Sequence, residues 1–489
     1  MRPPLGPPPV ERSTAEHVII KRRRRAQLFV FLRHHRQTLF AAPLQQELLT
    51  LAKDQPQGQP PVPPAQRALA ALLQASTQVS DDEGREATTM DRRWPVGLDG
   101  LDCDTPPFSQ GTLVVFRQRL SAQPLDRRLL EGTVEIAAAS GACGPRQLRA
   151  ALDSRPLWGA GRVEDPSHWR GHALRKAVGV MARQPGRGLR AIAGEAGASL
   201  GAGSRVQAAL ALDWDDPGAR QPALPMILAS LTAVEQWLDT PPGQAETTSH
   251  AVARLAVAQQ VCAQDRTTTP AGTPTRRQGV ADRRMRVAEA ERRHGRKRRR
   301  RRSDGYKRHV LRDLDRGLIV AGGVTPANVP EASGTDAIAT DVATPPSTLQ
   351  ERHIDRAYLA STLVQQRPDT MPIFCKAWPG HPGPYWANSA CHLDGERHAR
   401  PCPGGERMPC MPGEGGQLPA AACARCAWRE RCPTSASGRR VTLHPAEAWL
   451  PELCERQPTP QGRAKLRERV AVAHALAHVG RWQGRCARD

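Results

Sequence analysis

From Ala26 to about Ala138, apolar residues recur at spacings of three and four. They do so in Leu39-Phe40-Leu44-Leu48-Leu51 and again in Ala68-Leu69-Leu72-Leu73, the period of a helix with one buried face. Ser80 ahead of Asp81-Asp82-Glu83 marks a helix start, with acidic side chains where the macrodipole favours them. Ser109 caps a further helix carrying Leu113, Val115 and Phe116, and Pro124 opens another. The pattern predicts an all-helical module over 26–145, behind a disordered, basic and proline-rich leader over 1–25. The period then changes. The run Gln147 to Asp153 is short and glycines follow at Gly159 and Gly161, so a strand ending at Asp153 is expected. Residues 170–260 return to helical spacing and end in a polar, low-complexity linker around Thr267 to Thr275.

The segment Gly305 to Leu311 and the segment Gly317 to Ala321 read as a hairpin whose turn is Asp315-Arg316-Gly317. His353-Ile354-Asp355 ends another strand, a helix runs through Tyr358, Leu359, Leu363 and Val364, and Pro372 to Cys375 is a strand again. Strand, helix, strand implies a parallel pair and an α/β layer.

A chain of 489 residues is long enough for two or three folding units. The net charge of +22 points to a polyanionic partner, nucleic acid first, although GC-rich coding also inflates arginine throughout a chain. Cations are densest at Arg296, Lys297, Arg298, Arg299, Arg300, Arg301 and Arg302, with Lys307 and Arg308 close behind. Such a run is solvated and disordered until a polyanion meets it, and these residues are the expected DNA contacts. No segment approaches the roughly 20 apolar residues that span a bilayer, and Leu28 to Leu32 is too short for a signal core. A cytoplasmic protein with no membrane partner is expected. In a reducing compartment the 12 cysteines point to metal rather than to disulfides. Cys423-x2-Cys426-x5-Cys432, with Cys402 as fourth ligand, can hold one structural Zn²⁺ in a tetrahedron, with Cys410 as a further upstream thiol. Buried or free thiols are the plain alternative.

Several longer words carry a resemblance. They are Gly58 to Gln66 (GQPPVPPAQ), Ala151-Leu152-Asp153-Ser154 with Pro156 to Asp165 (PLWGAGRVED), and Asp304 to His309 (DGYKRH). Val324 to Asn328 (VTPAN) and His353 to Leu359 (HIDRAYL) complete the set. From about residue 28 onward the chain resembles bacterial insertion-sequence transposases of the DDE type, with a helical amino-terminal domain and a cysteine-containing insertion. The resemblance implies a ribonuclease H-like α/β catalytic domain over 146–380, interrupted by a helical insertion and basic linker at about 160–302. It places a cysteine-rich insertion at 381–435 and the end of the catalytic domain at 436–489. The implied activity is metal-dependent phosphodiester cleavage and strand transfer on double-stranded DNA, at transposon ends and target. Two Mg²⁺ or Mn²⁺ ions about 4 Å apart would activate the attacking oxygen and stabilise the leaving one. Asp153 matches the first family aspartate and Asp355 the second. A homodimer that pairs two ends is implied by analogy.

The chain departs from the family at the third acid. The family's glutamate belongs in the word Arg469-Val470-Ala471-Val472-x-His474, and here x is Ala473. Thr459 and Pro460 start a helix expected to run on through Ala477, packing Leu466, Val470, Ala473 and Ala477 on the sheet. Glu468, five residues before Ala473, is rotated roughly 140° away from the metal. Relatives also continue past position 489 with basic sequence, so the end of the fold is expected to be truncated. Two functions stay open: a transposase with impaired chemistry, and an inactive DNA-binding remnant. An unrelated zinc-ribbon nucleic-acid-binding protein is the third, weaker reading. His474 and His478 stand four apart as in a zincin but lack its adjacent glutamate. The glycine pairs at Gly159/Gly161 and Gly201/Gly203 lack a phosphate-loop lysine.

Overall fold

The structure is a computed structural model that describes residues 14–482. Outside the described residues lie 22, 52–61, 78, 99–104, 124, 140–146, 159–165, 184–187, 204–205, 217, 220–221, 242–243, 245–248, 265, 269–273, 277–281, 288, 298–300, 344–347, 377–399, 409–414, 433–436, 443 and 445–448. The start of the expected leader, residues 58–61 of the proline-rich word, Gly159 to Asp165, Arg298 to Arg300 and Cys410 therefore lie outside the described residues.

Helices come first: α1 (Thr14–Lys21), α2 (Arg23–Leu39), α3 (Ala42–Leu49), α4 (Pro64–Thr77), α5 (Asp81–Met90), α6 (Arg93–Leu98), α7 (Gln110–Ser121) and α8 (Leu125–Ala139). The three-and-four spacing works as expected. Phe40, Leu44, Leu48, Leu69 and Leu73 are buried in one core with Trp94, Leu113 and Phe116. Ser80 closes a capping box with Glu83, each side chain bonding the other's backbone N–H, and Ser109 caps α7. Helix also reaches into the expected leader, over α1 and the start of α2.

Strand β1 (Gln147–Trp158) is followed by α9 (Pro166–Arg183), α10 (Leu189–Glu195), α11 (Val206–Leu210), α12 (Ala223–Leu238) and α13 (Ser249–Ala263). Then come β2 (Arg266–Thr268), β3 (Pro274–Arg276), β4 (Arg293–Lys297), β5 (Arg301–Asp313), β6 (Ile319–Pro326), β7 (Thr348–Ile354) and β8 (Ile373–Cys375). The chain ends in α14 (Leu450–Arg456), α15 (Pro460–Glu468) and α16 (Val470–Trp482). Among the described residues no helix is long and apolar enough to cross a membrane.

Two compact units emerge. The first comprises Met1–Arg155, Arg308–Val324 and Pro330–Arg485. Its strands neighbour one another in the order β6-β5-β1-β7-β8. β1 runs parallel to β7, and β7 parallel to β8, as the strand, helix, strand reading requires. The β5–β6 turn falls where expected, with Gly317 at φ +78, a conformation open to glycine at little cost. Alternation along β1 sorts its residues onto two faces. Ala150 and Leu152 join Leu311, Ile354 and Tyr358 on one side, while Ala151 meets Val310, Val472 and Leu476 on the other.

The second unit comprises Pro156–Lys307, Thr325–Val329 and Cys486–Asp489. Trp169, Val178, Met181, Ile192, Ile227, Val234 and Val261 form its core. β4 pairs antiparallel with the first residues of β5, from Arg293↔Gly305 to Lys297↔Arg301.

Several expectations are corrected. β1 does not end at Asp153 but at Trp158; β5, with 13 residues, supports an extended neighbour beyond the last β7 pair, Leu152↔Ile354. The linker at Thr267 to Thr275 contains the paired strands β2 and β3, because β-branched Thr suits an extended backbone. The basic run is not wholly irregular, since its flanks are the paired strands β4 and β5. The helix expected through Tyr358 to Val364 is a tight 3-10 turn, Arg356–Tyr358, followed by a short helix, Thr362–Gln365. The last helix is interrupted at Arg469. That interruption shifts the buried face by one position. Val472 and Leu476 are buried, whereas Val470 is exposed and Leu466, Ala473 and Ala477 are intermediate.

Candidate functional site

Alternation places a line of polar side chains on the face that receives α15 and α16. On β1 these are Arg149 and Asp153, two steps either side of Ala151; on β7 they are Glu351 and His353, with Asp355 just past its end. Parallel pairing puts Arg149 opposite Glu351 and Ala151 opposite His353. Asp153 and Asp355 each follow the pair Leu152↔Ile354, so two aspartates far apart in sequence become lateral neighbours.

Each aspartate is held in the same way. Asp153 Oδ1 accepts from the Ser154 N–H at 2.9 Å, and Asp355 Oδ1 accepts from the Ala357 N–H at 3.2 Å, capping the 3-10 turn. The other oxygens face one guanidinium. Arg469 Nη1 lies 3.4 Å from Asp153 Oδ2 and 3.5 Å from Asp355 Oδ2. Arg469 stands at the α15–α16 interruption, and Ala473 follows one helical turn later. Below the pair, the Tyr358 hydroxyl meets His309 Nδ1 at 2.7 Å and hydrogen-bonds the Ser154 side chain. Burial pushes the Tyr358 phenol far above its ordinary range, so it stays neutral. Burial likewise pushes the Cys375 thiol up to about 12.

A second cluster, not anticipated from the sequence, lies along the same face. Glu351, His353 and Glu468 bring ligand atoms within 4.8 Å of one another. Lys465 Nζ donates to both Glu351 oxygens at 2.8 and 2.9 Å, and Arg149 Nη2 reaches Glu351 at 3.2 Å and also pairs with Glu468. His353 Nε2 lies 2.5 Å from Glu351, and its Nδ1 faces the Lys465 carbonyl at 2.9 Å. Burial alone would raise the Glu351 carboxyl. The hydrogen bonds from Lys465, His353 and Arg149 outweigh burial and hold it at about 2. Two side-chain cations already balance these carboxylates, so the cluster reads as a charge network rather than a metal centre. Glu468 belongs to it and not to the aspartate pair.

The remaining expected residues are dispersed. Arg296 and Arg302 are exposed and directly opposite each other, with Lys297 opposite Arg301. Lys307 donates to the Val329 carbonyl at 2.6 Å. Arg308 is buried and donates to the Leu476 carbonyl at 3.2 Å, so its charge is used inside the fold. Among the cysteines, a Cβ on Gly404 would lie 2.8 Å from Cys426 Sγ and 3.6 Å from Cys402 Sγ, so these two thiols share one neighbourhood. Cys423 is buried in the short helix Ala420–Ala424, and Cys432 Sγ accepts from Arg439 Nη1 at 3.1 Å. His474 and His478 are both exposed.

Two aspartates, one on β1 and one just past the end of β7, offer the oxygen ligands that Mg²⁺ prefers. The rest of the site does not fit a pair of divalent ions: Ala473 has no donor, and a permanent cation faces both carboxylates. Comparison with known proteins finds no matching family model, no matching curated protein and no matching solved structure.

Proposed function

We propose that this chain is a transposase of the DDE insertion-sequence type with a ribonuclease H-like catalytic domain, retaining DNA binding while its phosphodiester cleavage and strand transfer are impaired. The observation that carries the reading is the neighbouring pair Asp153, on β1, and Asp355, just past the end of the parallel strand β7, with Ala473 one turn beyond the residue that faces them. The strand order β6-β5-β1-β7-β8, with β1, β7 and β8 parallel, supports the fold. Double-stranded DNA is the partner, two copies pairing two ends is the assembly, and the cytoplasm is the location. Mg²⁺ or Mn²⁺ would be the family's cofactor, and Cys402, Cys423, Cys426 and Cys432 would hold a structural Zn²⁺.

The DNA reading gains a physical basis in the β4–β5 pairing. Like charges directly opposite across a ladder are unfavourable, and Arg296 with Arg302 is such a pair, stabilised once phosphates lie against it. Binding should be weakly sequence-dependent and fall steeply with salt, each neutralised phosphate adding about −0.9 to the slope of log affinity against log salt. The test is a salt titration of duplex binding by the full chain and by Arg296→Ala/Arg302→Ala. The double variant should lose up to about 1.8 from the slope. An unchanged slope removes this strand pair as the contact surface.

A further inference from the structure

Arg469 faces both aspartates at once. Its Nη1 lies within 3.5 Å of a carboxylate oxygen on each of Asp153 and Asp355. Both other carboxylate oxygens are already engaged by backbone N–H groups. The position is fixed by the fold: Arg469 caps α15 in a helical conformation, and the Val472 N–H bonds its carbonyl at 3.2 Å as α16 begins. Burying Val472 and Leu476 against Ala151 then turns that cap toward the face bearing Asp153.

We infer that Arg469 is the resident cation of the aspartate pair, a guanidinium occupying the carboxylates in place of metal. The pair supplies two negative charges and Arg469 returns one. A divalent ion added beside it would make the site positive, and a second ion more so. A carboxylate at position 473 would offset that excess, but Ala473 supplies none. Mg²⁺ also gives up its water reluctantly and gains only two carboxylates in exchange. The site is therefore closed to metal by charge as well as by the missing ligand. The cations Arg149 and Lys465 on the same face are instead paired with Glu351 and Glu468.

The inference rests on reading Asp153 and Asp355 as a former metal pair. Its test uses no DNA, so its failure leaves the DNA-binding reading standing. Free Mn²⁺ is followed by its electron paramagnetic resonance signal during titration of the full chain, Asp153→Asn, Arg469→Gln and the combined variant. The unmodified chain should take up no more Mn²⁺ than Asp153→Asn. Arg469→Gln should bind about ten-fold tighter or better, and adding Asp153→Asn should abolish the gain. Uptake by the unmodified chain that depends on Asp153, or a folded Arg469→Gln without gain, overturns the inference. If Arg469→Gln does not fold, Arg469→Gln/Asp355→Asn decides. Relieving the unneutralised pair should restore folding, and a double variant as unstable as the single one refutes the counter-ion role.

Discussion

Replacing Glu351 by glutamine removes the negative centre of the second cluster while keeping its shape. In the folded protein the carboxyl is drawn from an ordinary 4.5 down to about 2 by Lys465, His353 and Arg149, against the opposing effect of burial. At 1.36 kcal/mol per tenfold change in the ionisation constant, that difference corresponds to about 3 kcal/mol. Lys465 and Arg149 are 29% and 30% exposed, so water screens their attraction. The expected loss in Glu351→Gln is therefore about 1–2 kcal/mol at pH 7. The sign with pH follows from the direction of the shift. A carboxyl depressed in the folded state contributes fully above its unfolded value, near 4.5, and loses that contribution as pH falls toward 2. Urea denaturation of the unmodified chain and of Glu351→Gln at pH 7 and pH 3.5 should show the gap between them narrowing by about 40% at the lower pH. A gap that does not change with pH would mean that Glu351 acts through packing, and the charge network would lose its basis.

Gly334 approaches the buried His309 ring so closely that an added Cβ would lie 2.1 Å from it. Gly334→Ala should lower stability by about 1–3 kcal/mol, visible as an earlier thermal transition, and an unchanged transition would show that the ring can move aside. The cysteine set should hold about one zinc per chain by metal analysis after purification without chelator. The zinc should be lost in Cys423→Ala/Cys426→Ala, and a zinc content near zero in the unmodified chain would dismiss the site.

Local signals were legible where chain neighbours make the structure. The helices over 26–139 follow from the spacing of Leu44, Leu48, Leu69 and Leu73, and the start of α5 from the Ser80/Glu83 pair. The β5–β6 turn follows from Gly317. Asp153 and Asp355 were legible only through the longer words around them, because no short spacing links two residues on separate strands. What escaped is long-range or depends on phase. Arg469 lies in a run with no glycine or proline to mark an interruption, so a continuous helix was the natural reading. The one-position shift then buried Val472 and Leu476 instead of Ala473 and Ala477. The network of Arg149, Glu351, His353, Lys465 and Glu468 joins β1, β7 and α15, and only the register Arg149↔Glu351 brings its members together. The pairing of Arg296 with Arg302 escaped because a run of cations has no apolar alternation to signal a strand.

Under the proposed function this protein holds DNA but does not cut it. The most direct test is an incubation of the full chain with Mn²⁺ and an end-labelled duplex carrying the sequences that flank its gene on both sides. The result is resolved for complex and for cleavage, with Ala473→Glu run alongside. The unmodified chain should give a retarded but intact duplex, with any cleavage confined to Ala473→Glu. Cleavage of the duplex by the unmodified chain would contradict that reading.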